Sequence, residues 1–157
     1  MTEVSHLLYR AGQCADALLG VALSEHGMTP RHSAVLLTIV ANADGCSQTE
    51  IIARTAIDRQ TVSDIVRRLA ERELIARTDC ASDQRLYQWQ ATDQGYAAAN
   101  ELHGVVERVE REFLGCLSVG ERRALAAGLL AIIEAVDPPP SAEQARPLRD
   151  RASVRAD

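Results

Sequence analysis

Five polar side chains within a nine-residue segment carry hydrogen-bonding groups of types that can bind nucleic acid. They are Arg59, Gln60, Thr61, Ser63 and Arg67. Side chains of these types bond to phosphate oxygens or to the edges of bases. The apolar residues of the segment recur at helical spacing, which predicts one helix whose polar side chains face outward. These apolar residues are Val62, Ile65, Val66 and Leu69. The alternative interpretation is a solvated helix face without a ligand.

An acidic residue, Asp64, lies on the same outward face. A carboxylate is repelled by phosphate, so it needs a different partner on such a surface. Asp64 either accepts a hydrogen bond from a cytosine amino group or braces the guanidinium of Arg67. The sequence leaves both roles open.

A second candidate for DNA contact lies at the tip of a predicted hairpin, where Asp83 and Arg85 are two residues apart. An arginine at such a tip can enter a narrow minor groove, where the potential is most negative. Asp83 can hold the guanidinium through a charge-assisted hydrogen bond. The alternative is an ordinary surface ion pair, which contributes little to stability.

The elements that position these side chains can be predicted from their capping residues. Ser47 and Glu50 form a capping box that opens a short helix ending near Arg54 or Thr55. Asp58 caps the next helix, which runs to about Arg72. A connection of three or four residues is typical of a helix-turn-helix. Side chains at the start of the first helix also approach DNA in that arrangement, which adds Ser47 and Gln48 to the candidates.

Two strands follow the helix pair and predict a β-wing. The predicted strands are 74–77 and 86–91, and the polar tip between them is 79–83. Trp89 is expected to pack against the wing. The predicted fold class is therefore mainly α with a small β-wing: a winged helix-turn-helix with about six helices.

Apolar periodicity predicts four further helices around this segment. They are 3–26, which Gly27 ends; 30–43, which begins after Thr29; 92–117; and 118–136, which a second capping box opens. The outer helices are apolar on more than one face, so we expect helices 3–26 and 93–136 to interlock with a second copy. Residues 1–137 are expected to form a single domain, with the winged helix-turn-helix at about 30–92. The tail 138–157 has few large apolar residues and is expected to be disordered.

The charge distribution restricts how DNA could be held. The net charge is −5, and all 17 basic residues are arginine. Residues 46–91 contain seven arginines and seven acidic residues, so this segment is neutral. Bulk attraction therefore cannot supply the affinity, which must come from a few placed arginines. No apolar run approaches the roughly 20 residues of a membrane span, and the N-terminus lacks the features of a secretion signal. We expect a cytoplasmic protein without membrane contact.

Neither a catalytic nor a metal-binding motif is recognisable. The sequence lacks GxSxG, HExxH and a phosphate-binding glycine loop, so we predict that the protein is not an enzyme and has no catalytic residues, cofactor or metal. The four cysteines are Cys14, Cys46, Cys80 and Cys116, and none forms a CxxC pair. We interpret them as free thiols in a reducing cytoplasm. A winged domain used only for protein contacts is a further alternative.

Seven motifs in a fixed order resemble the MarR family of bacterial regulators. They are Ser47-Gln-Thr-Glu-Ile, Ala56-Ile-Asp58, Thr61-Val-Ser63, Val66-x-x-Leu69, Leu74-Ile-x-Arg77, Asp83-x-Arg85 and Thr92-Asp-Gln-Gly95. The motifs cover about 50 residues, and the tip around Asp83 is similar to the wing of SlyA-type members. One departure is Glu73, where many relatives have glycine at the end of the helix.

The resemblance implies a homodimer that binds double-stranded DNA at a palindromic operator, usually as a repressor. It also implies a small-molecule effector, such as an aromatic carboxylate or its thioester, bound between the dimerisation helices and the DNA-binding head. The polar candidates for this pocket are Tyr9, Arg10, Arg31 and His32.

A redox-sensing regulator remains an alternative within the same family. Organic-peroxide sensors carry a reactive cysteine two residues before a segment like Leu7-Leu8-Tyr9, and Ser5 occupies that position here. Cys14 lies more than two helical turns further along, on the face of Leu7 and Leu18, so we expect it to lie in the core. Thiolate activation requires a nearby cation, and Arg10 is the local candidate.

Overall fold

The structure is a computed structural model that describes residues 3–80 and 83–136, with only the backbone described at 79, 80 and 83–86. Within these described residues, six helices and one two-stranded antiparallel sheet confirm the predicted fold class. The elements are α1 (Glu3–Ser24), α2 (Pro30–Val40), α3 (Gln48–Thr55), α4 (Arg59–Glu71), β1 (Ile75–Cys80), β2 (Asp83–Ala91), α5 (Asp93–Phe113) and α6 (Val119–Val136).

The helix pair α3–α4 begins at the predicted capping residues. Ser47 accepts a hydrogen bond from the backbone N–H of Glu50, whose carboxylate accepts from the Ser47 backbone N–H at 2.8 Å. Asp58 caps α4 by accepting from the backbone N–H of Thr61 at 2.9 Å. Between the helices, Ala56 adopts a left-handed conformation with φ of 52°, which turns the chain within three residues.

The core lies between the end of α1, helices α2 to α4 and the first half of α5. Its buried side chains include the four that the helical spacing of α4 predicted, Val62, Ile65, Val66 and Leu69. The residues with no exposed surface are Leu23, Val35, Leu36, Ile39, Ile51, Val62 and Leu69. This burial holds α4 by one face and leaves its opposite face in solvent.

The junction of α4, the wing and α5 is closely packed. Glu73 adopts φ of 57°, and the N–H groups of Glu73 and Leu74 donate to Ala70 and Leu69. This is a Schellman ending, in which glycine is usual at the position of Glu73. Thr92 donates its hydroxyl to the carbonyl of Glu73 at 2.6 Å and so links the start of α5 to this turn.

The wing is longer than the sequence predicted. Its register pairs Ile75 with Ala91 and Arg77 with Trp89, and the pairing continues to Cys80 and Asp83. The predicted first strand, 74–77, was therefore too short and began one residue early. The predicted polar tip was 79–83, but Asp79, Cys80 and Asp83 belong to the paired strands. Polar residues can continue the ladder of an antiparallel pair as well as form a turn. The backbone of Cys46 also exchanges two hydrogen bonds of 2.9 Å with Trp89.

Three helix ends differ from the predictions. Helix α1 ends at Ser24 and continues as a turn to Gly27, and α2 ends at Val40 rather than 43. Helix α5 ends at Phe113 rather than 117, because a turn closed by Leu117 N–H and Leu114 C=O follows it. By internal contacts the chain divides into two compact units, 1–113 and 114–157. The predicted disordered tail lies outside the described residues.

The outer helices expose many large apolar side chains. In α6 no residue is buried, and Ile133 is 58% exposed. In α1 only Leu23 is buried, while Leu7 is 58% exposed. Cys14 is exposed as well, so the prediction that it lies in the core is wrong for the single chain. Across the described residues, no helix combines the length and apolar character needed to cross a membrane.

Candidate nucleic-acid interface

The exposed face of α4 carries most of the predicted DNA-contacting side chains. Arg59, Gln60, Ser63 and Arg67 are all exposed, whereas Val62 on the opposite face is fully buried. The structure therefore brings these four polar residues together on one surface of the helix that follows the turn. Such a surface, with its N-terminal turns leading, is the part of a helix-turn-helix that enters the major groove.

Thr61 differs from its neighbours on this face. It is half-buried, and its hydroxyl donates to Asp58 at 2.7 Å while its backbone N–H donates to the same carboxylate. These hydrogen bonds, the hydroxyl bond first, lower the pKa of Asp58. Thr61 therefore helps to start α4, and its hydroxyl still has lone pairs that can accept a hydrogen bond.

Arg67 lies between two carboxylates of its own helix. Its Nη1 is 3.3 Å from Glu71 Oε1, and its Nη2 is 3.5 Å from Asp64 Oδ1. Of the two roles left open for Asp64, this geometry matches the bracing of Arg67. All three side chains are at least half exposed, so these ion pairs are weak and can exchange for a phosphate or a base.

The predicted contacts at the start of α3 have a more local geometry. Ser47 is half-buried, and its hydroxyl donates to Glu50 at 2.7 Å as part of the capping box. Gln48, the first residue of α3, is also half-buried. Ser47 thus has a structural role, and any contact with DNA would have to be added to it.

The wing presents a cation that the sequence reasoning did not single out. The guanidinium of Arg77 lies 3.7 Å from the centroid of the Tyr87 ring, and Tyr87 packs edge-on against Trp89 at 5.8 Å. The signal was available, because strand alternation places residues 77, 87 and 89 on one face once the register is known. The side chains of Asp83 and Arg85 lie outside the described residues, so their predicted contacts stay predictions.

The four predicted ligand residues are not gathered into one pocket. Tyr9, Arg10 and Arg31 are exposed, and the Tyr9 hydroxyl accepts a hydrogen bond from Gln13 at 2.8 Å. Only His32 lines the open pocket of about 450 Å³ that lies where α1 ends, α2 begins and α4 ends. The pocket is lined by Ser24, Gly27, Met28, Thr29, His32, Arg68, Glu71 and Arg72.

His32 is half-buried at the first turn of α2. Its Nδ1 lies 2.6 Å from the hydroxyl of Thr29, the residue that caps this helix. Burial lowers the pKa of His32, and the positive charges of Arg68 and Arg72 lower it further. The site therefore disfavours a positive charge on the imidazole of His32.

The buried cysteine, Cys46, has the properties of a structural thiol. It is 1% exposed, and burial raises its pKa, with a further increase from Glu50 that Arg54 partly opposes. A raised pKa disfavours the reactive thiolate. Cys14 and Cys116 are exposed and free.

Comparison with known proteins agrees with this architecture. A sequence model of the MarR family matches residues 26–86, from the end of α1 into the wing. The HTH-type transcriptional repressor NicR of Pseudomonas putida is 30% identical over 125 residues, which cover 78% of this chain and 77% of the repressor.

Two solved structures extend the likeness to the outer helices. One is the structure of Bordetella bronchiseptica BpsR, whose DNA binding is regulated by 6-hydroxynicotinic acid. It matches with a TM-score of 0.76 and 28% identity, over 83% of this chain and 92% of BpsR. The other is CouR of Rhodococcus jostii RHA1 bound to p-coumaroyl-CoA, which has a TM-score of 0.77 and 22% identity. The match covers 87% of this chain and 93% of CouR. With the exposed face of α4 and the paired wing, these relationships establish that the chain belongs to the MarR family of winged helix-turn-helix transcriptional regulators.

Proposed function

We propose that this protein is a ligand-responsive repressor that binds a palindromic operator as a homodimer. The observation that carries the proposal is the two-sided character of α4. On one face, Val62 and Leu69 are fully buried in the core. On the other face, Arg59, Gln60 and Ser63 are exposed to solvent. A helix fixed in this way can enter the major groove without rearranging the core.

Dimerisation would supply the DNA affinity that a single DNA-binding head, residues 46–91, lacks. Residues 46–91 have no net charge, so one head gains little from general attraction to phosphate. Two linked heads act together, because the second contact becomes intramolecular once the first has formed. The exposed apolar surfaces of α1 and α6 support association with a second copy, and residues 1–137 would then act as one domain.

An aromatic acid or its thioester is the proposed effector. BpsR responds to 6-hydroxynicotinic acid and CouR was solved with p-coumaroyl-CoA, which supports this chemical class for a relative of the same fold. Binding near the junction of outer helices and head would change the spacing of the two heads. We expect the protein to act in the cytoplasm on double-stranded DNA.

The test is operator recognition by fluorescence anisotropy. Duplex from upstream of the protein's own gene is compared with a shuffled duplex of equal length, at salt from about 50 to 200 mM. We expect tighter binding to the upstream duplex and a loss of affinity as salt rises. Equal affinity for both duplexes at every salt concentration contradicts a sequence-specific regulator and favours a protein-interaction module.

The effector class is tested by thermal shift. A specific ligand raises the melting temperature in proportion to the logarithm of its concentration above Kd. Aromatic acids and their coenzyme A thioesters are the expected stabilisers. A change of DNA affinity with peroxide, and not with any of the acids, contradicts the effector proposal and supports redox sensing.

A further inference from the structure

One cation of the wing is held by an aromatic ring instead of a carboxylate. The guanidinium carbon of Arg77 in β1 lies 3.7 Å from the centroid of the Tyr87 ring in β2. That distance is a van der Waals contact between a planar cation and the face of a ring. Stacking of this kind uses the π electrons of the ring, so the N–H groups of the guanidinium stay available for an anion.

The ring that holds Arg77 is itself fixed to the protein. Tyr87 packs edge-on against Trp89, with the ring centroids 5.8 Å apart. Trp89 is the direct cross-strand partner of Arg77, and its backbone exchanges two hydrogen bonds of 2.9 Å with Cys46. Trp89 is also partly buried and packs against the hydrophobic core. A continuous series of contacts, from the core through Trp89 and Tyr87, therefore fixes the position of the Arg77 guanidinium.

Arg77 and Arg67 are held by groups that differ in charge. Arg67 lies between the carboxylates of Asp64 and Glu71, at 3.5 Å and 3.3 Å, and these compete with a phosphate for its donors. The ring of Tyr87 is uncharged, so it holds Arg77 without offsetting the positive charge, and Arg77 is exposed to solvent. The side chain is therefore ordered before an anion arrives, which lowers the entropy cost of binding one.

The distance of Arg77 from the end of the wing indicates which anion it would meet. Arg77 is three positions before Cys80, whose pairing with Asp83 is the last of the described register. At about 3.4 Å per residue, that is about 10 Å along the strand. The minor groove is about 7.5 Å deep. If the end of the wing enters a minor groove, Arg77 therefore lies outside the groove, beside the phosphates at its edge.

We infer that Arg77 and Tyr87 form a phosphate-binding site at the base of the wing, in which the ring holds the guanidinium against the sugar–phosphate backbone of duplex DNA. The inference rests on the proposed function and deepens it, because it names a contact with DNA outside α4 and the wing end. Phosphate contacts orient a protein on DNA but carry no sequence information directly. Arg77 therefore adds affinity equally for every duplex.

The first experiment measures how DNA affinity depends on salt. Anisotropy gives the affinity of Arg77→Gln for the upstream and the shuffled duplex from about 50 to 200 mM salt. At the lowest salt concentration, binding to both duplexes should be about tenfold weaker than in wild type. The slope of log K against log salt should be shallower by about 1.8, because two copies each lose a phosphate contact worth about 0.9. Arg108→Gln, at an exposed position of α5, is the matched control and should leave both quantities unchanged.

The second experiment tests the role of the ring. Tyr87→Leu keeps an apolar side chain beside Trp89 but removes the aromatic face, and should weaken binding to both duplexes by about threefold. Tyr87→Phe keeps a ring and should weaken binding less than Tyr87→Leu does. In the double variant with Arg77→Gln, Tyr87→Leu should cause no further loss, because the ring acts only through the guanidinium.

The wing carries its own reporter of correct folding. Trp89 is the only tryptophan of the chain, so its fluorescence reports the structure around Tyr87 in every variant. If Arg77→Gln alters this emission, Arg77→Lys is the second variant, because it keeps the charge without a planar group that stacks. Arg77→Lys should retain the wild-type salt slope and bind both duplexes about threefold more weakly. A slope as shallow as that expected for Arg77→Gln would overturn the inference.

The outcomes separate this inference from the proposed function. Equal affinity of wild type for both duplexes overturns the sequence-specific regulator, whereas the salt slope still tests Arg77 on either duplex. An unchanged slope in Arg77→Gln, or an equal change in Arg108→Gln, overturns the phosphate contact. A loss of affinity confined to the upstream duplex overturns it as well, because that result indicates a base contact. Additive losses in the double variant overturn the role of Tyr87.

Discussion

Two arginines near the end of α4, Arg67 and Arg72, have different partners although they are only five positions apart in the sequence. Arg67 faces outward between Asp64 and Glu71, and Arg72 turns back to the carbonyls of His26 and Gly27 in the turn that follows α1. The first pairs only with its own helix and can meet DNA. The second fixes the position of that helix within the protein. At the scale of single residues, charge alone therefore does not identify function; the partner does.

We expect Arg67→Ala to weaken operator binding by about 1–3 kcal/mol if Arg67 contacts a base. Its effect on the free energy of unfolding should stay below about 1 kcal/mol, because both of its ion pairs are exposed. Anisotropy and urea denaturation measure the two quantities. Arg108→Ala is the matched control, and an equal loss of operator affinity in both variants would remove Arg67 from the interface.

His32 should make the stability of the protein depend on pH. Its pKa is lowered from 6.5 by burial and by two arginines, so the unfolded chain takes up a proton there more readily. Stability is therefore retained above pH 6.5 and lost as the pH falls from 6.5 towards the lower folded pKa. His32→Gln should reduce the fall in melting temperature between about pH 7.5 and pH 5. An unchanged pH profile would show that His32 titrates alike in both states.

At the scale of elements, the helix starts were predictable and the places where elements meet were not. Capping residues such as Ser47 and Asp58 act within three residues, so sequence spacing reveals them. The pocket depends on Arg72 meeting Gly27, 45 residues away in sequence, which no local pattern encodes. No sequence pattern therefore identifies Arg72, and the sequence groups His32 with residues that lie elsewhere. Helical spacing wrongly predicts that Cys14 lies in the core, because it identifies an apolar face but not what covers it.

The contact of α5 with the turn after α4 should be the least tolerant of these junctions. A Cβ at Gly95 would lie 1.9 Å from the carbonyl oxygen of Leu74. Gly95→Ala should therefore displace the backbone and destabilise the protein by about 1–3 kcal/mol or more. Gly104→Ala in the same helix meets nothing within 4 Å and should stabilise it by up to about 1 kcal/mol. Thermal denaturation of both variants measures the two changes in stability. Equal melting temperatures would contradict the close approach of Gly95 to Leu74.

The ending of α4 carries strain that a glycine would relieve. Glu73 has φ of 57°, a conformation that costs side-chain-bearing residues about 1–2 kcal/mol. Glu73→Gly should stabilise the protein by roughly 0.5–1 kcal/mol after the added freedom of the unfolded chain is subtracted. Ala70→Gly, in the preceding helical turn, should have the opposite sign. Urea denaturation measures the free energy of unfolding of both variants. A Glu73→Gly variant less stable than wild type would show that the backbone of Glu73 is not strained.

At the scale of the whole molecule, the exposed apolar surface of the outer helices supports the proposed homodimer. Ile133→Asp in α6 should prevent dimerisation and lower operator affinity by on the order of 100-fold, because the two half-sites are then bound independently. Sedimentation equilibrium and anisotropy measure the two effects. Glu134→Gln, the adjacent position, is the control. A variant that is monomeric yet binds the operator normally would contradict cooperation between two heads.

The exposure of α6 also bears on how long the protein survives. This helix has 18 residues, and none is buried within the chain. In proteins, most of the stability of a helix comes from packing of its apolar face against another surface. Proteases attack segments that unfold locally. If a partner copy covers α6 in the proposed homodimer, the lifetime of the regulator will depend on its abundance, and scarce, unpaired copies will be degraded first.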